Sequence, residues 1–422
     1  MDLFLLIFFT FFILITGIYI FKRNILFGGL YFFLFIYSIF AQIGYCFFPE
    51  LSELAKAYFG KQAFYEFYFF NILSFLFFFI IFYFTYPILI KVKKYELIKE
   101  SKGMKPYIFL FIIFCYFSFI FLYFINHLDV INWTNAADED FLKNQGLVYK
   151  LFAASFKTLN GIAIIFYIKW RVKNEYENIS FFPKSFLLFL LALSLVMLLL
   201  ICNQIGSRTD IVAFILGVGI FEVKQGLSVK KILKFLTVTL VLLIFMLYLE
   251  NARAENTAIS EFSSAEKIIY KDYFAPAHML YTAIGLNYIN PLQVLTSNFA
   301  NSFFLLNVDY LQKPLTDLIN PGVATRSAGY AFYLFTEGYM FMGFFGFLYN
   351  GLMLMLGLSI WYLIYNSKNK YYNLIIFCLM STQLVNFSRS QSSYFYKDIW
   401  VFLLPYLILF YLSSGLRLKL KF

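Results

Sequence analysis

Charged residues are scarce in this chain. Only 14% of its 422 residues are Asp, Glu, Lys or Arg, whereas 62% are hydrophobic. Soluble domains carry about 25% charged residues, so the composition excludes an ordinary soluble globular domain. Apolar runs of about twenty residues recur along the sequence, each long enough to cross a bilayer as a helix. Because these runs are continuous and not alternating, they indicate helices, not a barrel, and predict an all-α polytopic membrane protein.

Cysteine is rare, and nucleotide-binding motifs are missing. The four cysteines lie in or beside apolar runs without CxxC or other metal-ligand spacing, so they are interpreted as small apolar packing residues. The sequence contains no Walker phosphate loop and no dinucleotide fingerprint. We therefore expect no cofactor and no metal. The net charge of +11 is distributed as a topology signal and not as a patch, so nucleic acid is not an expected partner.

The apolar runs predict eleven membrane spans. The first has no basic residue before it and no small-residue cleavage site after it, so it is expected to be a retained helix and not a signal peptide. The seventh, with only about 15 residues, is short for a span of about 30 Å. The predicted spans are 3–21, 25–47, 67–90, 107–126, 147–168, 185–203, 209–223, 232–250, 339–364, 372–388 and 398–415.

The distribution of Lys and Arg predicts the orientation of these spans. One set of loops, with the C-terminal tail, carries about twice as many basic residues as the opposite set and is therefore expected to be cytoplasmic. The N-terminus is then outside and the C-terminus inside. One long connection, 251–338, lies on the predicted outer side, and long connections usually have a function. The chain thus divides into an eight-span region 1–250, a large external loop 251–338 and a three-span region 339–422.

A polar cluster interrupts the apolar pattern in "ICNQIGSRTDIVAF", between the sixth and seventh predicted spans. Arg208 stands there beside Asp210, and Gly206 permits a tight turn. A cation at lipid-headgroup depth is costly unless it has a partner, which indicates a binding site. Two structural alternatives stay open. Ser207 and Asp210 fit a capping box at the start of the next helix, and Arg208 could pair with Asp210 or reach bulk lipid phosphates.

Three more arginines lie close to predicted helix ends on the outer side: Arg253, Arg326 and Arg389. Arginine binds phosphate through two parallel hydrogen bonds, so the four could converge on the head of a lipid diphosphate. Each could instead be an interfacial anchor. His278, in the long loop, is a candidate general base or a solvated residue. Glu337 is a candidate base, an arginine partner or a carboxylate at a helix start.

Three features together resemble the Wzy-type O-antigen polymerases. These are "GSRTDI" between two spans, one large external loop in the second half, and the re-entry "GYAFYLFTEGYMFMGFFGFLYNGL". The resemblance implies the GT-C-like architecture of the O-antigen polymerases and ligases. It also implies glycosyl transfer at the periplasmic face of the bacterial inner membrane. There, undecaprenyl-diphosphate-linked oligosaccharide repeat units serve as donor and acceptor and are polymerised into a surface polysaccharide.

The resemblance also implies roles for individual residues. Arg208 in "GSRTDI", with Arg253 and Arg326 of the large loop, would bind the lipid diphosphate and stabilise the charge that develops on the leaving group. Arg389 joins this set through its position near a helix end on the outer side and not through the resemblance. The proton of the acceptor hydroxyl would pass to a base. The candidate bases are His278, Glu337, Asp210 and Asp272. Tyrosines of the outer segments would stack against sugars, with Tyr273, Tyr281 and Tyr330 as candidates.

Two other functions remain open at this point. An O-antigen ligase would perform the same chemistry on a different acceptor. A flippase or transporter of lipid-linked oligosaccharide would also be a helical membrane protein, although such proteins often show internal repeats, and none is visible in this sequence. The family resemblance further implies a chain-length-regulating membrane protein as a partner.

Overall fold

We describe a computed structural model of the chain. The structure describes residues 2–47, 49–94, 96–99, 105–128, 131, 147–172, 182–205, 209–224, 275–302, 311–319, 332–414 and 416–419. Helices dominate these ranges. Five helical segments are long and apolar enough to span a membrane, namely Tyr65–Leu89, Lys105–Asn126, Lys184–Gln204, Leu334–Tyr365 and Ser393–Ser413. The described chain is thus that of an all-α membrane protein, apart from one short pair of strands.

The helices follow one another in this order: α1 Asp2–Arg23, α2 Ile25–Phe47, α3 Pro49–Leu89, α4 Lys105–Asn126, α5 Leu147–Arg171, α6 Lys184–Ile205, α7 Thr209–Lys224, α8 Ala275–Gly285, α9 Pro291–Ser302, α10 Gln312–Ile319, α11 Leu334–Met342, α12 Gly346–Tyr365, α13 Lys370–Ser388, α14 Ser393–Asp398 and α15 Leu404–Ser413. A 3₁₀ turn, Gly343–Phe345, joins α11 to α12, and a π-helical turn, Ile399–Leu403, joins α14 to α15. Strands β1 (Glu96–Lys99) and β2 (Leu416–Lys419) pair antiparallel, with Glu96 opposite Lys419.

Ten of the eleven predicted spans coincide with helices, and the eighth, 232–250, lies outside the described residues. Two boundaries differ from the prediction. Helix α3 begins at Pro49, within the predicted outer loop 48–66. In addition, the predicted external loop 251–338 contains α8, α9, α10 and the start of α11. Short helices lack a run of about twenty apolar residues, which explains why hydropathy did not indicate them.

The contacts divide the chain into two units, and each is built from separate stretches of sequence. The first unit contains α1–α3, α8–α12 and the segment Leu384–Lys397. The second contains α4–α7, most of α13, the chain from Asp398 onward and both strands. This grouping reflects contacts between helices, whereas the predicted division into 1–250, 251–338 and 339–422 concerns membrane topology. The predicted division therefore stays a prediction.

Aromatic side chains fill the core of the first unit. Tyr31 packs edge-on against Phe75, with ring centroids 4.9 Å apart, and Phe75 packs in the same way against Phe335 at 5.1 Å. The Tyr333 hydroxyl donates to Asn71 Oδ1 at 3.1 Å. Edge-to-face aromatic pairs add stability beyond the area that they bury. These contacts fix α2, α3 and α11 around one another, and α11 carries one of the predicted site residues.

The second unit packs around α5, which contacts α4, α6, α7 and α15. Gly161 of α5 lets the Tyr406 ring lie directly on the helix backbone, where a Cβ would overlap that ring. The Tyr116 hydroxyl of α4 donates to the Ser155 carbonyl of α5 at 2.7 Å. Small residues and hydrogen bonds of this kind are the usual means of holding membrane helices together.

Candidate functional site

The structure describes five of the eleven residues that the sequence predicts as functional. His278, Tyr281, Glu337 and Arg389 belong to the first unit, and Asp210 belongs to the second. The other six predicted residues lie outside the described ranges: Arg208, Arg253, Arg326, Asp272, Tyr273 and Tyr330. Convergence of the four arginines therefore stays a prediction, and most of the described candidate residues lie in the first unit.

The re-entry segment is a sharply folded pair of helices and not one straight span. Residues 337 and 349 would lie about 18 Å apart along a continuous helix. Instead, the Tyr349 hydroxyl donates to Glu337 Oε1 at 2.5 Å, and Asn350 Nδ2 donates to the Phe335 carbonyl at 3.2 Å. The chain therefore turns back at the 3₁₀ segment, although Leu334–Tyr365 as a whole is long and apolar enough to span a membrane. The predicted span 339–364 stays a prediction. Helix α11 is a separate nine-residue element.

Glycines make this sharp turn possible. Gly343 has a φ of +59°, in the left-handed region that favours glycine. Gly346 approaches the Gly338 carbonyl so closely that a Cβ on Gly346 would overlap it. The backbones of α11 and α12 are thus in direct contact, which brings Tyr349 within reach of Glu337.

Glu337 is the centre of a buried polar cluster. Its side chain is fully buried, at 0% exposure. Oε1 accepts from Asn298 Nδ2 at 2.6 Å, from the Tyr349 hydroxyl at 2.5 Å and from Ser392 Oγ at 2.6 Å. Oε2 accepts from the Ser392 backbone N–H at 2.6 Å. Each of these groups donates to a carboxylate oxygen, so together they offset part of the cost of burying the carboxylate.

Gln391 extends the cluster towards α9. Its Nε2 donates to Asn298 Oδ1 at 3.1 Å, to Ser297 Oγ at 3.2 Å and to Ser393 Oγ at 2.9 Å. Its Oε1 accepts from the Leu311 backbone N–H at 3.3 Å. An amide group has two protons, so the three acceptors share them. Through Asn298, the contacts of Gln391 and those of Glu337 form one continuous network.

Arg389 lies in the turn that supplies this network, between α13 and α14. Ser388, Gln391, Ser392 and Ser393 in the turn are buried, whereas Arg389 is partly exposed. The Arg389 backbone N–H donates to the Asn386 carbonyl at 3.2 Å, which closes the end of α13. The structure thus connects two predicted site residues: Glu337 bonds directly to Ser392, three residues after Arg389.

His278 and Tyr281 occupy a helix that is buried on every side. Residues 277–284 of α8 are all buried, the pattern of a helix enclosed by its neighbours α3, α10 and α11. The alternative that His278 is solvated is therefore wrong. Burial lowers the pKa of His278 to about 4, so its imidazole is neutral at pH 7. Burial also raises the pKa of Tyr281 to about 12.

Tyr281 packs edge-on against Phe67, with centroids 5.8 Å apart. Its side chain is 0% exposed, so a sugar could stack on it only after α8 moved. Asp210, in the second unit, lies in the first turn of α7 and is partly buried. An acid at that position suits the helix dipole, as the capping alternative expects. Its predicted relation to Arg208 lies outside the described residues.

No protein-family model, no curated protein and no solved structure matches this chain. Within the described ranges, no group of three or more His, Cys, Asp or Glu side chains could hold a metal ion. The expectation of metal-independent chemistry stays a prediction. A functional proposal for this chain therefore relies on the contacts within the first unit.

Sequence reasoning missed four members of the cluster: Asn298, Tyr349, Gln391 and Ser392. One signal was present in the sequence. The stretch "NFSRSQSS" places six consecutive polar residues, Ser388–Ser393, at the end of an apolar run, and "NQIGSRTD" is a similar polar cluster after the sixth span. Asn298 and Tyr349 gave no such signal, because their neighbours Ser297 and Asn350 are ordinary single polar residues of a helix and each member of the cluster becomes meaningful only through its partner.

Proposed function

We propose that this protein is a metal-independent glycosyltransferase. In this proposal it polymerises undecaprenyl-diphosphate-linked oligosaccharide repeat units at the outer face of the bacterial inner membrane. The membrane character of the described helices supports the setting. The sequence resemblance to the O-antigen polymerases supports the reaction. The GT-C-like architecture, the eleven spans and the orientation of the termini belong to the same proposal.

One structural observation supports this proposal most. Four predicted site residues, His278, Tyr281, Glu337 and Arg389, belong to one unit, although 111 positions separate the first from the last (389 − 278). Glu337 is hydrogen-bonded to the turn that carries Arg389. A membrane segment that encloses an ionisable side chain in a complete donor shell is a default candidate for function.

The proposed reaction needs few parts. The acceptor hydroxyl oxygen forms a bond to the anomeric carbon of the donor, and the bond between that carbon and the diphosphate oxygen breaks. Undecaprenyl diphosphate leaves with the bonding electrons, and the hydroxyl proton passes to a base. Guanidinium groups held in place stabilise the charge on the leaving diphosphate, and losing one such donor typically costs about 3 kcal/mol of transition-state stabilisation.

Among the proposed bases, His278 is the one whose protonation state is best defined. Its imidazole is neutral at pH 7, as a proton acceptor requires, and its pKa of about 4 makes it a weak base as long as α8 stays buried. Asp210 and Asp272 remain alternative bases. Because α8 is buried, acceptor access to His278 requires α8 to shift against α11, which is a motion of the kind that gates many active sites.

Polymerisation can be tested with purified protein and lipid-linked repeat units in detergent. Wild-type protein is expected to lengthen the glycan without nucleotide or ion gradient. Arg208→Ala and Arg389→Ala are expected to lower the rate by about a hundredfold. An exposed-face control, Phe111→Leu on α4, should retain the wild-type rate because Phe111 is 69% exposed. Full activity in both arginine variants would contradict the proposal.

Deletion of the gene separates polymerase from ligase. Loss of a polymerase leaves a single repeat unit on the lipid A core, whereas loss of a ligase leaves none. The readout is the glycan ladder on a gel, and complementation with the wild-type gene is the control. A lipid A core without any repeat unit would indicate that the protein is a ligase and not a polymerase.

A flippase or transporter is the second candidate, and the sharp fold at α11 and α12 favours it. Transporters often use short, discontinuous helices beside their substrate sites. Proteoliposomes that contain the purified protein provide the test. If lipid-linked oligosaccharide changes leaflet but its glycan never lengthens, transport replaces glycosyl transfer as the proposed function.

A further inference from the structure

The turn that carries Arg389 is anchored firmly on both sides. Ser392 donates twice to one carboxylate, through its backbone N–H at 2.6 Å and its Oγ at 2.6 Å. Gln391 is tied to α9 through Ser297 and Asn298. Ser388, at the end of α13, is fully buried at 0% exposure. Both ends of the turn are therefore fixed, and Arg389 lies between them.

Glu337 is poorly suited to take a proton from a substrate. Oε1 already accepts three hydrogen bonds and Oε2 accepts the Ser392 N–H. The side chain is 0% exposed, so a substrate hydroxyl has no path to it without opening the network. A general base needs a lone pair within hydrogen-bond reach of the substrate proton. The contacts instead match a residue that holds its neighbours in place.

From these contacts we infer that Glu337 and Ser392 are positioning residues that hold Arg389 in place for a lipid diphosphate. The inference rests on the proposed function, because it takes the lipid diphosphate as the ligand of Arg389. Glu337 acts through Ser392 and does not touch the reacting atoms. A guanidinium on an anchored turn loses less conformational freedom on binding, so its two hydrogen bonds to phosphate contribute more to affinity.

The test is the affinity of full-length protein in nanodiscs for undecaprenyl diphosphate. Arg389→Ala is expected to weaken binding by about tenfold or more, since it removes a charge-assisted pair of bonds. Ser392→Ala removes one anchoring hydroxyl but keeps the backbone N–H, and we expect a loss of about threefold to tenfold. Ser359→Ala is the matched control. Among the described residues, the partner of this hydroxyl is the Met355 carbonyl of its own helix α12, so the change should leave the affinity unchanged.

The double variant Ser392→Ala/Arg389→Ala gives the decisive comparison. If Ser392 acts through Arg389, the double variant binds no more weakly than Arg389→Ala alone. A merely structural role predicts that the two losses multiply, and that result would overturn the inference. Glu337→Asp keeps the charge but shortens the side chain, and it should behave as Ser392→Ala does.

Two further outcomes separate this inference from the proposed function. If wild-type protein binds undecaprenyl diphosphate and Arg389→Ala binds it equally well, the inference is overturned and the proposed function stands. If wild-type protein does not bind undecaprenyl diphosphate above a lipid-only nanodisc, the proposed function fails. Gel filtration and thermal unfolding establish for each variant that the protein remains folded.

Discussion

Two buried glutamates, one in each unit, are held in opposite ways. In the second unit, Glu222 accepts from Arg171 Nε at 3.1 Å and from the Tyr167 hydroxyl at 2.7 Å. In the first unit, the described partners of Glu337 are all uncharged donors. The Glu222 side chain is 11% exposed and that of its partner Arg171 is 37% exposed, whereas Glu337 is 0% exposed. One carboxylate is thus paired with a charge near water, and the other is enclosed by neutral groups.

The two arrangements differ in how well they tolerate the loss of a partner. An ion pair with one partly exposed partner contributes little to stability, because water can solvate the Arg171 guanidinium when Glu222 is lost. An enclosed network has no water to replace a missing partner, so each unsatisfied group retains its full desolvation cost. The pair at Glu222 therefore resembles a structural contact. The network at Glu337 fixes geometry, which is what a site for an anionic ligand requires.

Replacement of the carboxylates themselves should show the largest contrast. Glu337→Gln places an amide NH₂ against donors that need an acceptor, and we expect a loss of about 4 kcal/mol in the free energy of unfolding. Glu222→Gln should cost about 1 kcal/mol or less, because Arg171 can turn to water. Chemical denaturation in detergent, followed by tryptophan fluorescence, measures both. Equal losses would show that the two environments do not differ as described.

Glycine contacts offer a second contrast between the units. Gly346→Ala inserts a Cβ into the Gly338 carbonyl, which is backbone and cannot move aside. We expect a loss of about 3 kcal/mol, the upper end for overpacking. Gly217→Ala in α7 meets the flexible end of Ile164, so its cost should stay within about 1 kcal/mol. The same denaturation measurement compares them, and a harmless Gly346→Ala would contradict the close contact of α11 with α12.

Acid should weaken the first unit through His278. Its pKa is about 4 in the folded protein and 6.5 in the unfolded chain, so between these values only the unfolded chain binds the proton. Stability is then constant above pH 6.5 and falls as the pH drops to 4, by at most about 3 kcal/mol. Hydrogen exchange of the α8 amides reports the loss. His278→Asn should abolish this pH dependence. If the variant keeps it, another titrating group causes the effect.

The smallest contrast concerns two tyrosines that each donate to a glutamate. Tyr349→Phe removes one of four donors in the enclosed network and should cost about 2 kcal/mol, as expected for a hydrogen bond to a charged group. Tyr167→Phe leaves Glu222 with its arginine and should cost about 1 kcal/mol. Unfolding of both variants under identical detergent conditions gives the values. A larger loss at Tyr167 would reverse the interpretation of the two sites.

Hydropathy located the long helices well. Spans such as 107–126 and 372–388 agree with α4 and α13 to within a few residues, because an uninterrupted apolar run can only be a helix in lipid. It located the short helices poorly. Residues 275–285 form a buried helix inside the predicted external loop, and eleven residues with one histidine do not exceed any hydropathy threshold.

The candidate site was predictable only in part. Glu337 and Arg389 stood out because ionisable groups beside apolar runs are costly and therefore informative. Their connection through Ser392 was not predictable, since it depends on the chain turning back at Gly343 and on α9 lying beside α11. No local pattern encodes a contact between residues 55 positions apart, such as 337 and 392.

The sequence by itself determined that the chain is a helical membrane protein, because backbone groups in lipid must satisfy their hydrogen bonds within each apolar segment. It also determined which few ionisable residues stand where burial would be costly. Only the tertiary structure decided which of them meet. That choice depends on close backbone approach at Gly338 and Gly346 and on four donors from three separate segments gathering around one carboxylate.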